Sequence, residues 1–314
     1  MPAVTNVVFL LALELHLLDL AGPAQVFSTA NELGYRYDLA YVAEVEEITT
    51  AQGLPVRARL DWPELTPADL LVVPGRRSPT LSRKAPFGPA VEERLRTHHA
   101  AGGTVASVCS GADALGRAGL LDGRYYTTHH DLTDQLAARY PKANLVRDVL
   151  YVVDDRVITS AGIASGIDLA LHLVAVEHGA EAAARVARQM VVYARRNGDE
   201  LQASAMLRHR GHLSDLAHRV QDVIDARFAD RLLLSDLAGV AGVSERTLTR
   251  LFAAATGLTP LRYQQLLRLE RAEHLIGRGT TVEAAARVVG FEDARMLRRL
   301  RSRQLTVPVT EPVG

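Results

Sequence analysis

The chain has 314 residues, enough for two domains. Apolar residues make up 48% and charged residues 23%, which excludes a disordered or fibrous chain. Net charge is zero, yet residues 1–205 carry 19 basic and 24 acidic side chains, whereas residues 206–314 carry 17 Arg, no Lys and 12 acidic ones; an Arg excess confined to one end is a reason to look for nucleic acid there.

No basic stretch precedes the first apolar run, and Glu14, His16 and Asp19 interrupt it. It reads as strand and turn, not as a signal peptide or membrane span. Cys109 is the single cysteine, so an intrachain disulfide is impossible. A cytoplasmic chain without membrane contact is expected.

In chain order, Val7–Leu13 reads as a strand, Pro23–Leu33 as helix and Tyr37–Ala43 as a second strand. Asp69–Val73 is a short buried strand that runs into the turn Pro74-Gly75, and Glu92–His99 is helical. The strand from Thr104 runs into Cys109-Ser110-Gly111, and a helix follows over about Ala112–Ala118. Strands near Leu150–Val153 and Val157–Thr159 precede a long helix from about Ala164 to Glu177. Continuous apolar strands alternating with helices predict an α/β domain with a mostly parallel sheet covered on both faces.

Cys109 falls at a strand end before a helix, where free N–H groups would favour the thiolate. Glu14 and Asp19 follow the first strand onto the same rim. His129 and His130 follow a Tyr-Tyr-Thr-Thr run. Cysteine, carboxylate and histidine are the parts of a nucleophile site. The plain alternative is a sulfur that is only packed.

Leu18-Asp19-Leu-Ala-Gly22-Pro23, Val73-Pro74-Gly75, Val108-Cys109-Ser110-Gly111, Thr127-Thr128-His129 and Ala161-Gly162 with Gly166-Ile-Asp168 resemble signatures of the DJ-1/PfpI superfamily. The resemblance runs through about residues 4–190. It implies a flavodoxin-like sheet, with Cys109 as the elbow cysteine and Asp19 as its acid partner. A ligand pocket of Asp19, Gly75, Arg76, Cys109, Ser110 and His129 is expected. PfpI-type proteases carry His directly after the cysteine; here Ser110 stands there, which argues against a peptidase. Arg76 and Arg77 replace the small residue usual after Val-Pro-Gly. An Arg turned inward would suit an anionic ligand, and a solvated loop is the plain alternative.

Residues 194–209 are polar and aperiodic and read as a linker between a domain at 1–193 and another at 210–314. Ser214 is a helix N-cap, with Leu216, Val220, Val223 and Ile224 on one face. Two segments then match at an offset of 48, Leu237–Phe252 and Ala285–Leu300. In each, a short helix closes on Gly (242 or 290), an apolar residue follows, and a second helix begins. Leu248, Leu251 and Phe252 are expected to face inward in the first copy, and Met296, Leu297 and Leu300 in the second. That leaves Ser244, Glu245, Arg246, Thr249 and Arg250, and Arg295, Arg298, Arg299 and Arg301, for DNA. Thr259 and Pro260 open the helix that joins the units. Two Arg-bearing helix-turn-helix units in an all-α domain predict insertion into successive major grooves.

The stretch from Leu237 to Asp293 strongly resembles the AraC/XylS DNA-binding domain, on Gly242-Val-Ser244-Glu-Arg246, Thr256-Gly257, Pro260, Tyr263, Arg268, Ala272 and Gly290-Phe291. Fused to a DJ-1-like domain, it resembles a GlxA-type regulator. That implies a transcription factor bound to double-stranded promoter DNA, expected to be a homodimer that can contact RNA polymerase and answers a small-molecule effector. No enzyme activity, cofactor or metal is expected. The alternative is a cysteine-dependent hydratase or amidase using Cys109, Asp19 and His129. Leu297, Arg298 and Leu300 replace the usual Phe-Arg-Phe, and the closing Gly-x-Ser/Thr-Pro pattern is lost near Leu305. Leu233 also stands where many relatives have a capping Ser. Base discrimination is therefore expected from the first unit and phosphate attraction from the second.

Overall fold

A computed structural model of the chain describes residues 4–77, 81–192, 198, 202, 209–277 and 279–304. It divides into two compact units, Met1–Gln202 and Ala203–Gly314. Most of the expected linker, 194–209, and the closing segment from Leu305 lie outside the described residues.

The first unit is built on a six-stranded sheet. Its strands are β1 (Thr5–Leu10), β2 (Tyr37–Val42), β5 (Leu70–Val73), β6 (Thr104–Val108), β9 (Tyr151–Asp154) and β10 (Val157–Ser160). The order is β2-β1-β5-β6-β10-β9. All neighbours pair parallel except β9, the antiparallel edge strand. Two-stranded ribbons, β3 (Glu47–Thr49) with β4 (Pro55–Arg57) and β7 (Tyr125–Tyr126) with β8 (Asn144–Leu145), lie outside the sheet.

Helices cover both faces, which explains why the strands are apolar throughout rather than alternating. Val7, Phe9, Val72, Val108 and Ile158 share one core with residues of α1 (Leu17–Glu32), α5 (Ser165–His178) and α6 (Ala180–Gln189). Val8, Leu10, Leu71, Val73 and Val105 share the other with α2 (Pro89–Ala100), α3 (Ala112–Arg117) and α4 (Thr133–Arg139).

One boundary departs from the sequence reading. Helix α1 starts at Leu17, not at Pro23, and Pro23 lies inside it. Gly22-Pro23 looks like a helix start because proline suits the first turn. Packing overrides it: a methyl on Gly22 would lie 3.0 Å from Ile167, and one on Gly166 would lie 3.2 Å from Pro23. The Gly-Pro step is where α1 meets α5. Its early start brings Asp19 inside the first helical turn, completely buried.

The second unit is all-helical among the described residues: α7 (Asp215–Ala226), α8 (Leu234–Ala241), α9 (Glu245–Thr256), α10 (Pro260–Gly277), α11 (Val282–Val288) and α12 (Ala294–Gln304). Two small cores form. Val220, Ile224, Leu237, Leu248, Phe252 and Tyr263 fill one; Leu269, Ala272, Ala286, Phe291, Leu297 and Leu300 fill the other. Helix α10 contributes to both, and Phe228 packs against both.

Candidate functional site

At the end of β6 the chain turns sharply through Cys109, whose φ of +56° is the left-handed conformation that a non-glycine residue rarely adopts. Neighbouring glycines make room for it. A methyl on Gly162 would sit 2.3 Å from Cys109 Cβ and 2.9 Å from its sulfur. One on Gly75 would sit 2.4 Å from Asp19 Oδ2 and 2.7 Å from Cys109 Cβ, and one on Gly111 would sit 2.1 Å from the Val73 carbonyl oxygen. Thr128 Oγ1 donates to the Cys109 carbonyl at 2.9 Å. Asp19 Oδ1 accepts the Ile163 N–H at 2.7 Å, and Oδ2 is buried beside the Cys109 thiol and the Gly75 backbone.

This packing decides the electrostatics. Burial raises the Asp19 carboxyl, against the opposing Ile163 N–H and the nearby His16. Burial first, and the Asp19 charge second, push the Cys109 thiol far above its usual range. The sequence expectation of a thiolate favoured by the helix is therefore corrected. The Ser110 N–H does act in that direction, but Cys109 is only 6% exposed and the loss of water outweighs it.

The expected pocket residues separate into three places. Asp19, Gly75 and Cys109 form the packed knot. Ser110 is a staple: its Oγ accepts the Arg76 N–H at 2.8 Å and donates to the Arg76 carbonyl at 3.0 Å, tying the turn after β5 to the elbow. His129 sits on the rim, where its Nδ1 faces Asp131 at 3.5 Å, and its described hydrogen bond is with Asp131 rather than Cys109. Burial, then the neighbouring His130, hold its imidazole below the usual range.

A small open cavity of about 20 Å³ lies beside the staple. Arg76, Ser110, Lys84, Phe87 and Asp113 are in its lining; Asp19, Gly75, Cys109 and His129 are not. Asp113 was missed by sequence reasoning. It accepts from Arg117 at 3.0 Å, Arg139 at 2.9 Å and the Tyr140 hydroxyl at 2.6 Å. The same two arginines donate to the carbonyls of Leu81, Ser82 and Arg83, so they fix the rim loop. The Asp113–Arg117 spacing of four in a helix was the available signal.

In the second unit, α8 closes on Gly242 at φ +68° and Ser244 caps α9, accepting the Thr247 N–H at 3.3 Å. Leu248 and Phe252 are fully buried. Ser244, Glu245, Arg246 and Arg250 are exposed, and Thr249 is half-buried with its hydroxyl donating to the Glu245 carbonyl. Among the described residues, Arg246 and Arg250 have no acidic partner.

The repeat keeps the geometry but not the same freedom. Gly290 closes α11 at φ +80°, and a methyl there would lie 1.8 Å from the Ala229 carbonyl oxygen. Leu297 and Leu300 are buried, but Met296 is 37% exposed, which corrects its assignment to the inner face. Helix α12 begins at Ala294, so the inward line is Ala294, Leu297 and Leu300 at intervals of three. Arg295 faces Asp293 at 3.4 Å, Arg298 is bound to Glu283, and Arg301 is bound to Glu273 at 2.7 Å. Arg299 is exposed and has no acidic partner among the described residues.

Sequence reasoning named Arg268 only as part of the family resemblance and gave it no role; within the second unit it braces the two helix-turn-helix cores. Arg268, on α10, donates to the carbonyls of Phe228, Ala229, Asp230 and Gly290, and its guanidinium lies 5.5 Å from the Phe291 ring centre. Gln264 donates to Phe228 and Asp230 as well. A long cation between Leu267 and Leu269 was the sequence signal.

Residues 5–176, more than half of the chain, match the DJ-1/PfpI family, and residues 237–311 match a helix-turn-helix domain. The chain is 26% identical over 299 residues to the HTH-type transcriptional regulator GbdR of Pseudomonas aeruginosa, covering 90% of this chain and 77% of that protein. It is 32% identical over 190 residues to the isonitrile hydratase of Pseudomonas putida, covering 58% of this chain and 76% of that one. The crystal structure of an AraC family transcriptional regulator from Pseudomonas putida shares the fold, with TM-score 0.51 and 24% identity over 59% of this chain and 99% of that chain.

Proposed function

This chain belongs to the DJ-1/PfpI family and, with its AraC-type helix-turn-helix domain, is a DNA-binding transcriptional regulator; we propose that a small anionic effector bound in its first unit governs promoter binding by the second. The observation that carries the DNA reading is the recognition helix α9. Its inner face is fixed by Leu248 and Phe252, while Arg246 and Arg250 stand outward without acidic partners among the described residues. Such side chains read base edges. In α12, Arg295, Arg298 and Arg301 already face acids, which leaves the exposed Arg299 to attract phosphate rather than read bases.

The effector reading rests on the pocket beside Ser110. Arg76 and Lys84 line it with Phe87 and Pro86, cations that would meet the carboxylate end of a small anion at its open face. Its rim is tied to Asp113 through Arg117 and Arg139. The protein works as a cytoplasmic homodimer beside RNA polymerase. The first unit senses rather than catalyses, because the thiol is buried, its proton is held tightly, and His129 is turned to Asp131. The second reading, a hydratase, draws on the Asp19–Cys109 pairing and on the hydratase likeness.

Fluorescence anisotropy on DNA from the gene's own upstream region, with a panel of small carboxylates, tests the proposal. A sequence-selective, salt-sensitive complex whose affinity changes with one carboxylate is expected, with the response lost in Lys84→Ala. Sequence-indifferent binding overturns the regulator reading. Isonitrile turnover abolished by Cys109→Ser would establish the second reading instead.

A further inference from the structure

After β7 the chain places His129, His130 and Asp131 in succession, with one donor atom of each within 4.8 Å of the others. A single helical turn from His130 to Leu132 gathers them. His129 Nδ1 accepts the Asp131 N–H at 3.4 Å, a bond that an ion would replace, and lies 3.5 Å from one carboxylate oxygen of Asp131, while His130 Nε2 lies 3.3 Å from the other. The imidazole centres are 4.2 Å apart, with planes inclined at 32°. The backbone beneath is pinned: Leu132 N–H donates to the His129 carbonyl at 2.9 Å, and Thr133 Oγ1 donates to that of His130 at 2.8 Å. None of these three residues lines the pocket beside Ser110.

Metal–nitrogen and metal–oxygen bonds of about 2.0–2.2 Å in a tetrahedral site put adjacent donor atoms about 3.3–3.6 Å apart, the edge of the tetrahedron. Each imidazole nitrogen lies at about that distance from a different oxygen of Asp131, so the carboxylate would hold one ion through both oxygens. Two nitrogens with one carboxylate suit zinc, nickel or copper, whereas magnesium and calcium prefer oxygen alone.

We propose that His129, His130 and Asp131 bind one divalent transition ion of the zinc type. His130 and Asp131 are 56% and 70% exposed at their side chains, so the ion keeps open positions toward solvent. The site is independent of the effector pocket. An ion held here would be a second input to the first unit.

Isothermal titration of the untagged, EDTA-stripped full chain with zinc chloride tests the site. The expected result is one ion per chain, with affinity reduced at least about tenfold in both His130→Ala and Asp131→Asn. Because both side chains are exposed, neither change disturbs the core, and circular dichroism checks that. His212→Ala is the control, since His212 and His218 form another stacked pair at 4.3 Å in the second unit; it leaves the affinity unchanged. No stoichiometric binding by the wild-type chain, or binding that neither His130→Ala nor Asp131→Asn weakens, overturns the proposal.

Discussion

Arg268 donates to the carbonyl of Gly290 at 2.8 Å, so the long helix of one helix-turn-helix core holds the turn of the other. The same guanidinium satisfies three carbonyls in the segment after α7. A charged head shared among backbone oxygens and an aromatic face is a planar-fork task that lysine cannot reproduce. The spacing of the two recognition helices therefore depends on one side chain that does not touch DNA in this proposal.

Arg268→Lys and Arg268→Ala are expected to destabilise the second unit, by about 1–3 kcal/mol for the carbonyls left unpaired. Trp62, the single tryptophan, lies in the first unit. Urea unfolding followed by its fluorescence will not shift, whereas the far-ultraviolet dichroism transition will broaden or split. Coincident, unshifted transitions in both signals would contradict the brace.

Gly162→Ala is expected to cost more than about 3 kcal/mol, because a clash with Cys109 adds to left-handed backbone strain of about 1–2 kcal/mol. Gly53→Ala is the comparison. Its φ is +82° but nothing lies within 4 Å, so only the strain remains. Equal losses in thermal or urea unfolding would show that the elbow is not close-packed.

Cys109 makes stability depend on alkaline pH. The folded thiol binds its proton more tightly than the unfolded one. As pH rises above about 8.5, the unfolded state loses that proton first, and stability falls by up to about 1.4 kcal/mol per pH unit. Below that pH both states are protonated and the contribution is flat. Cys109→Ser should remove this slope; tyrosines that are also raised, such as Tyr126, act equally in both proteins. Denaturant midpoints between pH 7 and 10 that stay parallel for the two proteins would refute it.

On DNA, Arg246→Ala is expected to cost about 1–3 kcal/mol on the preferred operator and to relax one base position. Arg299→Ala should weaken all sequences alike and reduce the salt slope by about 0.9. Glu283→Gln releases Arg298 and should tighten binding at low salt, with the gain fading at high salt. Arg301→Ala acts through two routes, since it also removes the contact with Glu273. Anisotropy across operator variants and salt concentrations separates these effects; identical behaviour of Arg246→Ala and Arg299→Ala would end the proposed division between the units.

The sequence alone determined the alternation of the main strands and helices, the repeat at an offset of 48, the left-handed Gly242 and Gly290, and the Ser244 cap, but not the small ribbons or α4 and α6. These follow from local rules: apolar period, turn chemistry and capping act within a few residues. What required the tertiary structure was each property set by distant neighbours. Helix α1 runs through Pro23 because α5 packs there. The thiol keeps its proton because glycines from two other segments wall it from water. Arg298 and Arg301 are engaged because acids from other helices reach them. Burial and charge pairing join residues far apart in the chain, and neither leaves a periodic mark in the sequence.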